Sequence, residues 1–140
     1  MEQESESHYA LIEESLCLVA EKDVDLMPSV YRHLFSISPA AEEVFDGLPV
    51  SQRGIMLNKV VEMIMGCAQG NEKLGEFRQY DIPLHDDLGV TKAMYQDYFE
   101  AVILALKEAL GPEWLDRHEQ SWKLEFKKLI NEVMAHSDNQ

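Results

Sequence analysis

Apolar residues recur at helical spacing along almost the whole chain and hardly ever alternate at strand spacing. The clearest example follows Thr91, where Tyr95, Tyr98, Val102 and Leu106 fall on one side of a predicted helix. This pattern predicts an all-α fold. A chain of 140 residues has room for one core of this kind, so we expect a single domain over residues 1–140, with disordered tails at 1–7 and 136–140.

Capping residues mark where the predicted helices begin. The first helix is expected after Ser7, and Asp25, Ser38, Ser51 and Thr91 each stand directly before an apolar helical stripe. A proline follows Ser38 at the first helical position, where its missing N–H costs little.

The acidic charge balance limits which classes of partner the chain is expected to bind. The chain carries 12 basic and 26 acidic side chains, which gives a net charge of −14 and opposes binding to nucleic acid or to an anionic membrane surface. Its apolar runs are too short and too interrupted to span a bilayer. The acidic N-terminus does not resemble a signal peptide, so a cytoplasmic protein is expected.

One histidine differs from the other four. Those four are predicted on the surface, near the chain ends or among charged residues: His8, His33, His118 and His136. His85 instead has apolar neighbours at Leu84, Leu88 and Val90. On its own, such a histidine is more typical of a packed side chain than of a metal ligand, and both interpretations stay open at this point.

Upstream residues could line a cavity with His85. An aromatic series has spacings of four, four and six, and an amide and a thioether lie one helical turn apart. The series is Tyr31, Phe35, Pro39 and Phe45, and the pair is Gln52 and Met56.

The sequence resembles the globin family, and most closely bacterial single-domain globins and the haem domains of flavohaemoglobins. The resemblance is carried by the aromatic series above and by His85 followed by Gly89, Val90 and Tyr95, then Gly111 and Trp122. It covers residues 8–134. It implies a globin fold of about seven to eight helices packed around a haem pocket.

The resemblance also implies roles for the residues nearest the cofactor, haem b. His85 would be the proximal ligand of the iron, and Phe45 would pack against the porphyrin face. Val90 and Tyr95 would wall the proximal side. Asp81 and Pro83 depart from the family pattern and predict a short or shifted helix around His85.

On the distal side, the resemblance implies a polar pair and an apolar residue. Tyr31 and Gln52 would donate hydrogen bonds to a bound gas, each worth roughly 1.5 to 3 kcal/mol, and Met56 would lie over the iron. Tight binding of this kind suits capture, sensing or nitric oxide oxidation better than bulk delivery.

Three functions remain open on the sequence. The first is a haem-binding globin that reversibly binds a diatomic gas (oxygen, nitric oxide or carbon monoxide) for storage, sensing or detoxification. The second is a nitric oxide dioxygenase, for which a separate reductase would have to supply electrons. The third is a haem-free regulatory or interaction domain. A signalling role would need a partner protein. The chain could be a monomer or a homodimer.

Overall fold

The computed structural model describes the backbone of residues 2–70 and 74–139, and side chains from residue 8 onward. Met1 and Gln140, at the ends of the predicted tails, lie outside this range. The helices are α1 (Glu2–Glu21), α2 (Leu26–Ile37), α3 (Pro39–Asp46), α4 (Ser51–Ala68), α5 (Leu74–Glu76), α6 (Ile82–Asp87), α7 (Lys92–Leu110) and α8 (Asp116–His136). No strand occurs among the described residues, so the prediction of an all-α fold is confirmed. None of the described helices has the length and apolarity needed to cross a bilayer.

Helix α7 lies at the centre of the hydrophobic core. It packs against α1, α2 and α8, and buries residues around most of its circumference, among them Ala101, Val102 and Leu106. The rings of Phe99 on α7 and Phe126 on α8 stack with their centroids 4.4 Å apart. Because α7 is fixed on several sides, the side chains of its first turns are held in defined positions.

Three of the four predicted caps are confirmed. The side chains of Asp25, Ser38 and Thr91 each accept a backbone N–H from the turn that follows, at 3.1, 3.2 and 3.3 Å. The prediction for Ser51 is wrong, because α4 already includes this residue. The helix instead begins at a backbone turn, in which the carbonyl of Pro49 accepts the N–H of Gln52 at 3.0 Å.

His118 is fully buried, so its predicted surface position is wrong. Its Nδ1 accepts the backbone N–H of Leu115 at 3.0 Å, and its Nε2 lies 2.7 Å from a carboxylate oxygen of Glu14 on α1. Its spacing of four residues from the buried Trp122 places both on one face of α8. That spacing was the signal for burial, and it outweighed the charged neighbours in sequence.

Both chain ends differ from the predicted tails. The backbone of α1 is helical from Glu2, earlier than the expected start after Ser7. At the other end, α8 continues to His136, and residues 137–139 form hydrogen bonds with the end of α6. The expected tail at 136–140 is therefore anchored over its described part.

A π-helical turn (Phe77–Asp81) connects α5 to α6, and we call it the π turn. Within it the N–H of Ile82 donates to the carbonyl of Phe77, five residues back. Pro83 follows immediately; in a regular α-helix it would lack an N–H to donate, and its ring would clash with the carbonyl four residues back. The wider π turn provides space for this proline. Helix α6 has only six residues, which confirms the prediction of a short helix around His85.

Candidate functional site

A largely apolar cavity of about 320 Å³ lies where α2, α3, α4, α6 and α7 approach one another. This volume falls within the range of small-molecule sites. Six of the seven site residues predicted from the sequence line it: Phe45, Gln52, Met56, His85, Val90 and Tyr95. Tyr31 is the one that does not.

The loop after α6 fixes the backbone of His85. The carbonyl of His85 accepts the N–H of Val90 at 2.9 Å, and the carbonyl of Asp86 accepts the N–H of Gly89 at 3.1 Å. These are the two bonds of a Schellman motif, which needs a residue in the left-handed region. Gly89 meets this need with a φ of 86°. The glycine four residues after His85 thus has a local structural reason to be there.

Tyr95 holds the ring of His85. Its hydroxyl lies 2.8 Å from Nδ1, and the two ring centroids are 5.6 Å apart. Tyr95 is buried in the first turn of α7, directly after the Thr91 cap. The described residues offer no hydrogen-bond partner to the other ring nitrogen, Nε2, while the ring itself lines the cavity.

Burial keeps both partners of this hydrogen bond uncharged at neutral pH. It lowers the pKa of His85, a shift that the nearby carboxylates of Asp81 and Asp86 oppose. Burial likewise raises the pKa of Tyr95. The bond therefore joins a neutral imidazole to a neutral phenol, and the 2.8 Å distance allows either group to donate. The tautomer with hydrogen on Nδ1 leaves a lone pair on Nε2.

Tyr31 lies behind the cavity wall and makes two hydrogen bonds there. Its hydroxyl is 2.8 Å from the backbone carbonyl of Arg53 and 2.9 Å from the hydroxyl of Tyr98. A carbonyl can only accept, so Tyr31 donates its single proton to Arg53, and Tyr98 must donate to Tyr31. Burial raises the pKa of Tyr31 to about 12 and that of Tyr98 well above its ordinary range. In this arrangement neither phenolic proton points to a ligand.

Tyr98 and the pair Lys59–Asp81 line the cavity but were not predicted as site residues. The sequence interpretation placed Tyr98 only on the apolar stripe of α7, which gave no hint of its bond to Tyr31. Lys59 Nζ on α4 lies 3.2 Å from Asp81 Oδ1 on the π turn. The lysine side chain is exposed and the aspartate is mostly covered, so the ion pair lies at the cavity mouth. No local spacing signals a contact between residues 22 positions apart.

The remaining predicted residues span the rest of the cavity. Phe45 of α3 is buried, and its ring makes a T-shaped contact with the ring of Tyr31, at 5.0 Å between centroids. Met56 is half-buried, and Gln52, one turn earlier on α4, is exposed at the rim. The cavity thus has aromatic and thioether surfaces inside and an amide at its edge.

A comparison with known protein families finds no family model that matches this chain, and a comparison with curated proteins finds no match either. Within the described residues, no group of three or more His, Cys, Asp or Glu side chains is placed to hold a metal ion.

The donor set suits a flat, apolar cofactor that brings most of its own metal ligands. A porphyrin supplies four nitrogen atoms to its iron, so one histidine completes the attachment. His85 presents Nε2 without a competing partner among the described residues, and the other nitrogen has the second hydrogen bond typical of metal-bound histidine. The residues present therefore fit haem b.

Proposed function

We propose that this protein is a haem-binding globin that reversibly binds a diatomic gas. The observation that supports this most directly is the pair His85–Tyr95: an imidazole at a largely apolar cavity, held through Nδ1 by a buried phenol at 2.8 Å. The all-α architecture and the sequence resemblance described above support the same function.

Haem b, when bound, would supply an iron that can bind oxygen, nitric oxide or carbon monoxide. His85 would hold the iron through Nε2. Phe45, Met56 and Val90 would contact the porphyrin and keep water away from it. Each of these three side chains lines the cavity.

Tyr95 can accept a hydrogen bond from Nδ1–H of His85, which is the tautomer that metal binding through Nε2 requires. In the ligand-competent tautomer, Nδ1–H donates to the hydroxyl oxygen of Tyr95 and Nε2 is free of hydrogen. This bond also restricts rotation of the ring about its side-chain torsions. Tyr95 is thereby proposed as the residue that orients the metal ligand.

Gln52 is the donor to a gas ligand that this geometry favours. Its side chain lines the cavity rim, whereas the proton of Tyr31 is donated to the carbonyl of Arg53. The predicted donor role of Tyr31 would require its hydroxyl to leave that carbonyl. We therefore expect Gln52→Leu to speed oxygen dissociation by roughly tenfold, which corresponds to one hydrogen bond of about 1.4 kcal/mol. Tyr31→Phe should have a smaller effect, and stopped-flow spectroscopy would compare the two variants.

We further propose a cytoplasmic location, with gas storage, sensing or detoxification as the role. Turnover of nitric oxide would depend on a separate reductase, and signalling would depend on a partner protein. Nitrate formation with and without an added electron donor would distinguish catalysis from binding.

Haem titration of the purified chain tests the proposal. We expect one equivalent of haem to give a Soret band, and carbon monoxide to shift that band in the ferrous form. His85→Ala should abolish the normal spectrum, while His136→Ala should not, because His136 is an exposed histidine near the end of α8. An unchanged spectrum in His85→Ala, or no Soret band in the wild type, would contradict the proposed function.

A further inference from the structure

Helix α6 has few contacts of its own to hold it in place. Ile82 is its one buried residue within the described chain, while Leu84 is 56% exposed. The π turn precedes it and a tight loop follows. The position of His85 therefore depends on bonds made from outside α6.

The C-terminal residues 137–139 supply such bonds to Asp86, the residue next to His85. Ser137 Oγ donates to one carboxylate oxygen of Asp86 at 2.6 Å, and the backbone N–H of Asp138 donates to the other at 3.0 Å. Ser137 is itself buried, which protects this contact from water. Both oxygens of one carboxylate are thus bound by consecutive residues.

Asn139 connects the two sides of the loop. Its side-chain Nδ2 donates to the backbone carbonyl of Asp86 and to that of Val90, both at 2.9 Å. An amide nitrogen has two hydrogens, so both bonds can form together. Val90 in turn donates its N–H to the carbonyl of His85. Asn139 therefore links the backbone of Asp86, next to His85, to the backbone of Val90 at the end of the loop.

We infer that residues 137–139 form a C-terminal latch that positions His85, with Asn139 as its central positioning residue. The inference rests on the proposed role of His85 as the cofactor ligand for its functional meaning. Release of the latch leaves His85 with Tyr95 alone to orient its ring. The imidazole then samples more orientations toward the cavity.

Substitution of Asn139 tests the latch in the full chain, first without added haem. Asn139→Ala removes both side-chain bonds, and Asp138→Ala is the matched control, because Asp138 contributes its backbone N–H to the latch and its side chain is exposed. We expect amide hydrogen exchange at Val90 to become on the order of tenfold faster in Asn139→Ala and to stay unchanged in the control. Exchange at the Leu106 amide, in the centre of α7, reports global stability, so a general loss of stability in either variant is read there.

The ring of His85 provides a readout that general destabilisation would not move. Long-range ¹H–¹⁵N spectra should show the Nδ1 signal of His85 shift toward that of the exposed His136 in Asn139→Ala only. With haem added, the iron–histidine stretching band should shift or broaden in that variant alone. Unchanged Val90 exchange and an unchanged His85 signal, or equal effects of both substitutions, would overturn the inference. If the wild type binds no haem but the two measurements without haem change as expected, the latch stands and the proposed function fails.

Discussion

Tyr95→Phe tests the bond that orients His85 by removing one oxygen atom. The ring can stay in place, since its contacts with the rings of Phe77 and His85 do not require the hydroxyl. The variant loses a neutral hydrogen bond worth about 1 kcal/mol, and it leaves Nδ1 of His85 without its partner, a cost of roughly 1–3 kcal/mol when burial is complete. His85 is only half-buried, so water offsets part of this cost and we expect a net loss of about 1–1.5 kcal/mol.

The expected change in melting temperature follows from this loss of unfolding free energy and the length of the chain. For 140 residues, an unfolding entropy of about 2.1 cal/mol/K per residue gives roughly 0.3 kcal/mol/K. The expected decrease in Tm is therefore about 3–5 °C, measured by circular dichroism of the protein without added haem. Tyr80→Phe is the control, because Tyr80 is 64% exposed on the π turn and should melt like the wild type. A Tyr95→Phe melting curve that overlays both would refute the reasoning.

Further substitutions probe the frame of the site. Gly89→Ala should lower the free energy of unfolding, measured in urea, by roughly 1–2 kcal/mol, because alanine is strained at a φ of 86°. Gly54→Ala, in an open position on α4, should raise that free energy by roughly 0.5–1 kcal/mol. Equal effects of the two substitutions would contradict the Schellman motif at Gly89. Thr91→Ala should cost about 1 kcal/mol through loss of the α7 cap, again by urea unfolding, and a loss near zero would show that the cap is dispensable. For Tyr31, the folded pKa of about 12 lies above the ordinary value of about 10, so its contribution to stability is present below pH 10 and is lost as the pH rises toward 12. Absorbance titration of Tyr31→Phe should lack a tyrosine that ionises near pH 12 in the wild type, and identical titration curves would contradict this assignment.

Local patterns predicted the helices well because their causes are local. Asp25, Ser38 and Thr91 act on the next turn of their own chain segment, so a capping residue before an apolar stripe was sufficient evidence. The prediction that Ser51 caps α4 was wrong because this helix begins at a backbone turn and has no side-chain cap. The prediction that His118 lies on the surface was wrong because its charged neighbours were given more weight than its spacing from Trp122.

Six of the seven predicted site residues line the cavity, but the hydrogen bonds around it were not predicted. Phe45, Met56 and His85 line one cavity, as their types and spacing suggested. The bonds of Tyr31 to Arg53 and Tyr98 join separate helices, and no pattern within one helix encodes them. The same holds for the C-terminal latch, which connects residues about fifty positions apart.

The π turn sets the direction of His85 through its backbone form. Each residue of an α-helix turns the chain by about 100°, and a π turn accommodates one more residue than an α turn before the helix resumes. If all five residues of Phe77–Asp81 closed as a regular α-helix, the extra residue would change the rotational phase of α6 by about 100°. The imidazole would then face a different direction, with every residue of the cavity still present. The angular alignment of the candidate ligand is thus set by the π form of the turn between α5 and Pro83, separately from the identity of any residue that touches it.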